Sequence, residues 1–159
     1  MGNNEAVRDQ VLIAIRRIVR AIDLHSRRLV QEHGITGPQA LILKRLADSG
    51  EQSAGELARA VSLSQATVTD VLDRLEKRGL LRRERSAEDK RRVLVSATAQ
   101  GLDVLKSSPP LLQDHFVAEF ARLADWEQSL ILSSLQRVAA MMDATELDVA
   151  PLLAGPVVE

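Results

Sequence analysis

The sequence predicts a mainly α-helical fold with one small β-hairpin. Apolar residues recur at helical spacing through most of the chain, and Ser/Thr-x-x-Glu/Gln capping signals mark several helix starts. Aromatic residues make up only 2% of the chain, which indicates helices packed with Leu, Val, Ile and Ala. One stretch, residues 80–96, instead favours two short strands. At 159 residues the chain can bury enough apolar surface to fold without covalent cross-links.

Two helices open the chain. Residues 4–31 carry an apolar stripe wide enough to contact more than one neighbour, and Gly34 is placed to end that helix. Thr36 and Gln39 then have the spacing of a capping box, in which each side chain accepts the other residue's backbone N–H. A second helix is therefore predicted over 38–48.

The middle of the chain predicts two shorter helices joined by a tight turn. Ser53 and Glu56 form a second capping-box pattern, so a helix starts near Ala54. Ser64 suits the N-cap of the next helix, and Gly79 is placed to end it in the left-handed conformation. One apolar stripe follows this helix at i, i+3, i+4 and i+7, namely Val68, Val71, Leu72 and Leu75.

A basic segment follows this pair of helices. Residues 77–92 hold eight basic and three acidic side chains, a net charge of +5 on a chain whose total is −1. Strands are predicted over 80–85 and 92–96, although no glycine marks the turn at 86–90. A local positive field of this kind is a candidate phosphate-binding surface, but a charge run is more often a solvated face. The charge pattern alone leaves both interpretations open.

The remaining helices are predicted at the C-terminal end. Thr98 is placed to cap a helix that reaches Lys106, and a Ser-Ser-Pro-Pro sequence interrupts the chain before a helix over 110–123. Asp125 and Gln128 have the spacing of a third capping box, for a last helix to about residue 142. That helix is apolar around most of its circumference, so we expect it to be buried from two sides, together with the first helix, in a two-fold homodimer.

Composition excludes several classes of function. The chain has no cysteine, so it can hold neither a disulfide nor a catalytic thiolate. It contains none of the short motifs of nucleotide-binding loops, zinc peptidases or serine hydrolases, and its three histidines are far apart. We therefore expect a protein that is not an enzyme and has neither cofactor nor metal. No apolar run approaches about 18 residues, and no signal peptide is recognisable, which favours a cytoplasmic protein.

Several short strings resemble one protein family in order and at matching spacing. These are ELA at 56–58, LSQATVT at 63–69, DRLEKRGLL at 73–81, the sequence Asp89-Lys90-Arg91, and Thr98-x-x-Gly101. Together they resemble the winged helix-turn-helix of the MarR family of bacterial transcription regulators. Ala97 departs from the resemblance, because the family usually has Leu before this Thr.

The resemblance implies four regions and a homodimer. Residues 1–35 would form an N-terminal dimerisation helix and 36–101 the winged helix-turn-helix lobe. Residues 102–146 would complete the dimerisation region, followed by a tail at 147–159. The function implied is a ligand-responsive DNA-binding regulator, in the family's usual role of repressor, that binds a pseudo-palindromic operator. The alternative is a winged-helix protein-interaction module without sequence-specific DNA binding.

Residue types at the start of the second short helix suit contacts with DNA. The backbone N–H groups and hydroxyl at Ser64 can meet a phosphate, and the Gln65 amide can pair with adenine. Methyl groups there suit thymine, and Arg74 suits guanine or phosphate. By resemblance, Arg91 enters the minor groove at the wing tip while Asp89 orients it through a hydrogen bond. The predicted DNA-binding residues are Ser64, Gln65, Ala66, Thr67, Thr69, Arg74, Arg85, Asp89, Lys90 and Arg91.

The effector is not defined by the sequence. Phe116, Phe120 and Trp126 lie within eleven residues and could form a cage for a quaternary ammonium group, or could instead fill a dimer core. The stretch FARLADWEQSLILSSLQRVAAMMDA resembles the compatible-solute branch of MarR regulators. The candidate effectors are therefore an osmolyte such as glycine betaine or an aromatic acid, with an unknown ligand-binding site.

Overall fold

The computed structural model describes residues 2–147 and confirms a mainly α-helical fold with a two-stranded hairpin. The outer part of the predicted tail, residues 148–159, lies outside the described residues. The predicted element order is confirmed, with bounds that differ by a few residues at some ends. The elements are α1 (Gly2–His33), α2 (Gly37–Ser49), α3 (Ala54–Val61), α4 (Gln65–Lys77), β1 (Leu81–Arg85), β2 (Val93–Ala97), α5 (Ala99–Ser107), α6 (Leu112–Phe120) and α7 (Asp125–Met141).

The hydrophobic core lies among α2, α3, α4 and the hairpin. The two strands pair antiparallel, with Leu81 opposite Ala97 and Arg85 opposite Val93. A two-way backbone bridge between Gln52 and Val95 (N···O distances 3.1 and 2.8 Å) ties β2 to the segment before α3. The apolar stripe predicted for α4 is buried against this core. Its burial turns the opposite face of α4 toward solvent.

Four predicted helix starts are confirmed by their hydrogen bonds, those of α2, α3 and α4 and that of α5 at Thr98. At α3, Ser53 Oγ accepts from the Glu56 N–H (3.3 Å), and the Glu56 carboxylate accepts from the Ser53 N–H (2.8 Å). The reciprocal pair between Thr36 and Gln39 starts α2 in the same way. At α4, Ser64 Oγ accepts the N–H of the third helical residue. These caps satisfy N–H groups that have no partner inside a helix.

The start predicted for α7 was wrong by one residue. Asp125 does not form a capping box with Gln128; instead the Glu127 carboxylate accepts from the N–H of Ala124 at 2.9 Å. Gln128 turns back and donates its amide to the carbonyl of Leu123 at 3.0 Å. A carboxylate is the stronger acceptor for an N–H at a helix start, which explains why Glu127 rather than Gln128 takes this position.

Helix α5 approaches the hairpin closely at Gly101. Thr98 Oγ1 accepts from the Gly101 N–H (3.1 Å) and donates to the carbonyl of Gly79 (2.7 Å). The N–H of Thr98 donates to the carbonyl of Leu80 at 3.1 Å. A Cβ on Gly101 would lie 2.0 Å from that same carbonyl oxygen. Only glycine therefore permits this approach of α5 to the chain entering β1.

Apolar side chains of α1, α6 and α7 are exposed in the single chain. The Ser-Ser-Pro-Pro break predicted between α5 and α6 is present, since α5 ends at Ser107 and α6 begins at Leu112. The burial predicted for α7 is not achieved within one chain, since none of its residues is buried. None of the helices that the structure describes has the length and apolar content needed to span a bilayer. Exposed apolar residues on the three helices include Val11, Ile18, Val19, Phe116, Val117, Leu130, Leu132 and Leu135.

Candidate nucleic-acid interface

The outward face of α4 carries the predicted base-reading residues. Gln65, Ala66, Thr67 and Thr69 are all exposed. The Thr69 hydroxyl donates to the carbonyl of Gln65 at 2.8 Å, which fixes its rotamer. The Gln65 amide and the methyl groups are the parts of this face that remain for base edges.

The N-cap of α4 is more constrained than the sequence predicts. Ser64 Oγ accepts from the Thr67 N–H at 3.1 Å and shares a hydrogen bond with Thr67 Oγ1 at 2.8 Å. Both hydroxyls are therefore engaged with each other. The N–H groups of the first helical turn, which lack partners within the helix, are the donors best placed for a phosphate.

Arg74 lies on the same exposed face but is paired within its own helix. Its guanidinium lies 3.2 Å from the carboxylate of Asp70, one turn earlier. Both side chains are exposed (47% for Arg74 and 62% for Asp70), so this ion pair contributes little to stability and can open at low cost. Arg74 is therefore available to a base or phosphate only after it leaves Asp70.

The wing turn is closed by a serine instead of a glycine. Ser86 N–H donates to the carbonyl of Arg92 (2.9 Å), and Arg92 N–H donates to the carbonyl of Asp89 (2.9 Å). Ser86 Oγ accepts from the N–H groups of Glu88 and Asp89, both at 3.3 Å. A hydroxyl that accepts from the following backbone is a known turn-forming device. Ser86 is therefore the sequence signal for this turn, and a search for glycine alone misses it.

The predicted contact between Asp89 and Arg91 is present in a different form. We expected the Asp89 carboxylate to pair with the Arg91 side chain; instead Asp89 Oδ1 accepts from the Arg91 backbone N–H at 3.0 Å. An Asp side chain commonly bonds the N–H two residues later, because that donor is the nearest one in a tight turn. Asp89 therefore shapes the turn, and the Arg91 guanidinium extends into solvent.

The basic segment divides into two groups that the charge pattern alone does not distinguish. Arg83 binds two carboxylates of α4, and Arg92 binds Glu56 of α3 at 2.7 Å. Among residues 2–147, by contrast, no ion pair forms to Lys77, Arg85, Lys90 or Arg91, and all four are exposed. The exposed positive field therefore comes from α4's last turn and the wing. Lys77 belongs to this group, although the sequence did not single it out.

Glu56 gives this lobe a defined response to acid. The N–H of Ser53, then its hydroxyl, then the nearby Arg92 lower the pKa of Glu56 to about 2, against an ordinary 4.5. Since the carboxylate is more acidic in the folded chain, its contribution to stability is complete above pH 4.5 and is lost as the pH falls toward 2. Other carboxylates also titrate in this range, so a difference between two variants is required to isolate Glu56.

We expect Glu56→Gln to be less stable than the parent at pH 6 and to lose less stability on acidification. Gln keeps the size of the side chain but cannot ionise, so the pH dependence due to this residue disappears. Thermal unfolding followed by circular dichroism at pH 6, 4 and 3 measures both quantities. Parallel loss of stability by the two proteins below pH 4.5 would contradict this assignment.

These features together define a winged helix-turn-helix DNA-binding protein, with α3 and α4 as the helix pair and the β1–β2 hairpin as the wing. The MarR family model matches residues 35–93, which include α2, the α3–α4 pair, β1 and the wing turn. The transcriptional regulator HosA of Escherichia coli O111:H- is 35% identical over 128 residues, which cover 74% of this chain and 92% of HosA. The chain belongs to the MarR family, and it is a DNA-binding transcriptional regulator.

Two solved structures are similar over most of the chain. The PcaV transcriptional regulator of Streptomyces coelicolor, in complex with its natural ligand, is 29% identical with a TM-score of 0.57. The alignment covers 81% of this chain and 91% of PcaV. BpsR of Bordetella bronchiseptica, whose DNA binding is regulated by 6-hydroxynicotinic acid, is 27% identical with a TM-score of 0.55. That alignment covers 82% of this chain and 98% of BpsR.

Proposed function

We propose that the chain is a cytoplasmic repressor that binds a pseudo-palindromic operator as a homodimer and releases it when a small molecule binds. One observation carries this proposal. All ten residues predicted to contact DNA are exposed, and they belong to α4 with its N-cap and to the wing of the same lobe. A helix and a hairpin combined in one lobe can reach two adjacent grooves of DNA.

Each part of the surface has a separate role in this proposal. The exposed face of α4 lies in the major groove, where Gln65 pairs with adenine and the methyl groups of Ala66 and Thr67 contact thymine. Arg91 enters the adjacent minor groove from the wing tip. Arg85 and Lys90 neutralise phosphates and position the lobe without reading sequence.

The homodimer forms, in this proposal, through the apolar faces of α1, α6 and α7. Most of the exposed large apolar side chains of the described residues lie on these helices, and contiguous apolar surface of this kind marks an interaction site. A two-fold axis between equivalent helices would cover the same faces on both subunits. It would also place two copies of α4 about one turn of DNA apart, roughly 34 Å, which explains a pseudo-palindromic site.

We expect Leu135→Glu to dissociate the dimer. Leu135 is 52% exposed in the single chain, and a buried, unpaired carboxylate at a dimer interface is strongly unfavourable. Sedimentation velocity at micromolar concentration gives the mass of the species present. Gln136→Glu, which introduces a carboxylate at the next, exposed polar position of α7, is the matched control and should remain dimeric. A dimeric Leu135→Glu protein would remove α7 from the proposed interface.

For the effector, we favour an aromatic acid over an osmolyte. DNA binding by BpsR responds to an aromatic acid, which supports this class of ligand. A groove of about 530 Å³ separates the N-terminal end of α2 from α4, with Thr36 and Gln39 on one side and Thr67 and Arg74 on the other. A carboxylate that draws Arg74 from Asp70 would occupy two of the proposed DNA contacts, so it would compete with the operator.

The first experiment is a fluorescence-anisotropy titration against the DNA upstream of the chain's own gene, at several salt concentrations and with a scrambled control. We expect tight binding that prefers the native fragment and weakens steeply with salt, as released counterions require. Adding 6-hydroxynicotinic acid should then lower the affinity for DNA. A parallel titration with glycine betaine tests the osmolyte alternative and should leave the affinity unchanged. Binding without preference or salt dependence would favour the alternative of a protein-interaction module.

A further inference from the structure

Arg83 joins the wing to the recognition helix, although it belongs to the basic segment. It lies on β1, and its guanidinium forms two ion pairs with α4. Nη2 lies 2.6 Å from Asp73 Oδ1, and Nη1 lies 2.9 Å from Glu76 Oε2. With a side chain that is only 27% exposed, Arg83 is less accessible than Arg85 or Arg91 of the same hairpin. Its guanidinium is therefore engaged with α4 and is not free in solvent as those of Arg85 and Arg91 are.

The charges of this cluster argue against a direct role in binding phosphate. One guanidinium faces two carboxylates, so the cluster carries a net charge of −1 and does not add to the positive field. A planar guanidinium held by both of its terminal nitrogens fixes an orientation as well as a distance. Such a fork suits the alignment of two elements better than the attraction of DNA.

The wing needs alignment of this kind. A two-stranded ribbon has little stability of its own and twists readily, whereas the minor groove lies at a fixed offset from the major groove. The hairpin is fixed at the middle of β2 by the backbone bridge to Gln52, and beside the wing turn by the contact of Arg92 with Glu56 on α3. Arg83 supplies the corresponding connection to α4, the helix that reads the major groove.

We infer that Arg83 is a positioning residue. By holding Asp73 and Glu76 it sets the angle between α4 and the wing, so that Arg91 reaches the minor groove while α4 occupies the major groove. Arg83 itself does not contact DNA. This inference rests on the DNA-binding mode proposed above, and the test below separates failure of the one from failure of the other.

Substitution of the two carboxylates should change DNA affinity in the direction opposite to the usual electrostatic effect. Removing a negative charge from a DNA-binding surface normally strengthens binding, because it increases the attraction to phosphate. If the ion pairs align the wing, Asp73→Asn and Glu76→Gln should instead weaken specific binding. Neither substitution removes a basic side chain, and both keep the size of the residue.

The experiment measures operator affinity by anisotropy at fixed salt for Arg83→Met, Asp73→Asn, Glu76→Gln, Arg91→Ala and the Arg83→Met/Arg91→Ala double variant. Arg82→Met is the matched control, because it removes the same charge from the neighbouring position of β1, where Arg82 contacts only Glu84 and Ser96 among the described residues. Thermal unfolding of each variant, recorded first, sets an assay temperature at which all of them are folded.

We expect Arg83→Met to weaken binding about tenfold alone but less than about twofold when Arg91 is already absent, because the two residues act on one contact. The Arg82→Met control should fall well short of the tenfold loss. Multiplicative losses in the double variant would overturn the inference, as would tighter binding by Asp73→Asn and Glu76→Gln.

Two further outcomes separate this inference from the proposed function. If Arg91→Ala alone does not change the affinity, both the wing contact and the positioning role of Arg83 are ruled out, although α4 could still bind DNA. No specific binding by the parent protein would contradict the proposed function itself. If Arg83→Met does not fold, the sign of the change in Asp73→Asn and Glu76→Gln decides the question.

Discussion

Replacing Gly101 with alanine should destabilise the protein by about 3 kcal/mol or more, the upper range for overpacking a close-packed site. The added Cβ would lie 2.0 Å from the carbonyl oxygen and 2.9 Å from the carbonyl carbon of Leu80. These are backbone atoms, so no rotamer change can relieve the clash. It would also lie 3.2 Å from a methyl carbon of Leu43, in the core of the lobe. Helix α5 must therefore move away from the start of β1, and the hairpin loses part of its support.

Urea unfolding monitored by circular dichroism measures this loss directly. Gly55→Ala is the matched control, because Gly55 is also a helical glycine but has no atom within 4 Å of an added Cβ. Alanine is the better helix former, so this variant should be unchanged or more stable by up to about 1 kcal/mol. Equal destabilisation by the two substitutions would show that helix propensity rather than close approach governs Gly101.

The fold could be predicted largely because its signals are local. Four caps, at Thr36, Ser53, Ser64 and Thr98, each accept the backbone N–H of the residue three positions further along the chain, so each helix start is determined locally. The error at α7 also arises from a local signal. Glu127 and Gln128 can both accept a backbone N–H at a helix start, and the predicted capping box used Gln128, the weaker acceptor, instead of Glu127. The angle between helices and the exposure of α7 depend on contacts between distant residues, which no local pattern contains.

The location of the candidate site could be predicted from the sequence, but which of its basic residues are paired within the protein could not. The charge pattern places eight basic residues in one segment without ranking them, and the prediction selected Arg85, Lys90 and Arg91, with the role of Arg91 taken from the family resemblance. In the fold, Arg83 and Arg92 are held by carboxylates from α4 and α3, and Arg78 donates to the carbonyl of Gly34. Arg92 and its partner Glu56 are 36 positions apart, so only the tertiary structure identifies the pair. Which cations of the segment stay unpaired and exposed is therefore decided by tertiary contacts.

The exposed position of Arg91 makes it the most informative residue of the wing. Its backbone N–H is held by Asp89, but its guanidinium forms no ion pair within the described part of the chain. Arg91→Ala therefore removes no internal contact and should leave the thermal midpoint unchanged. In the proposed binding mode it should weaken operator binding by about 1–3 kcal/mol per site. Anisotropy titrations against the operator measure this loss.

Two controls distinguish minor-groove reading from simple loss of charge. Arg122→Ala removes an equal charge from an exposed position near the end of α6 and should leave operator affinity nearly unchanged. Lys90→Ala, next to Arg91 on the wing, removes a proposed phosphate contact. It should weaken binding to operator and scrambled DNA alike and reduce the salt slope by about 0.9 per phosphate contact.

The pattern across DNA sequences gives the final criterion. A narrow, A·T-rich minor groove has an enhanced negative potential that attracts an inserted guanidinium. Arg91→Ala should therefore lose most affinity for operators with A·T pairs beneath the wing and less when those pairs are replaced by G·C. Equal losses on both operators, with a change in salt slope like that of Lys90→Ala, would mean that Arg91 binds a phosphate. In that case the sequence preference of the protein would come from α4 alone.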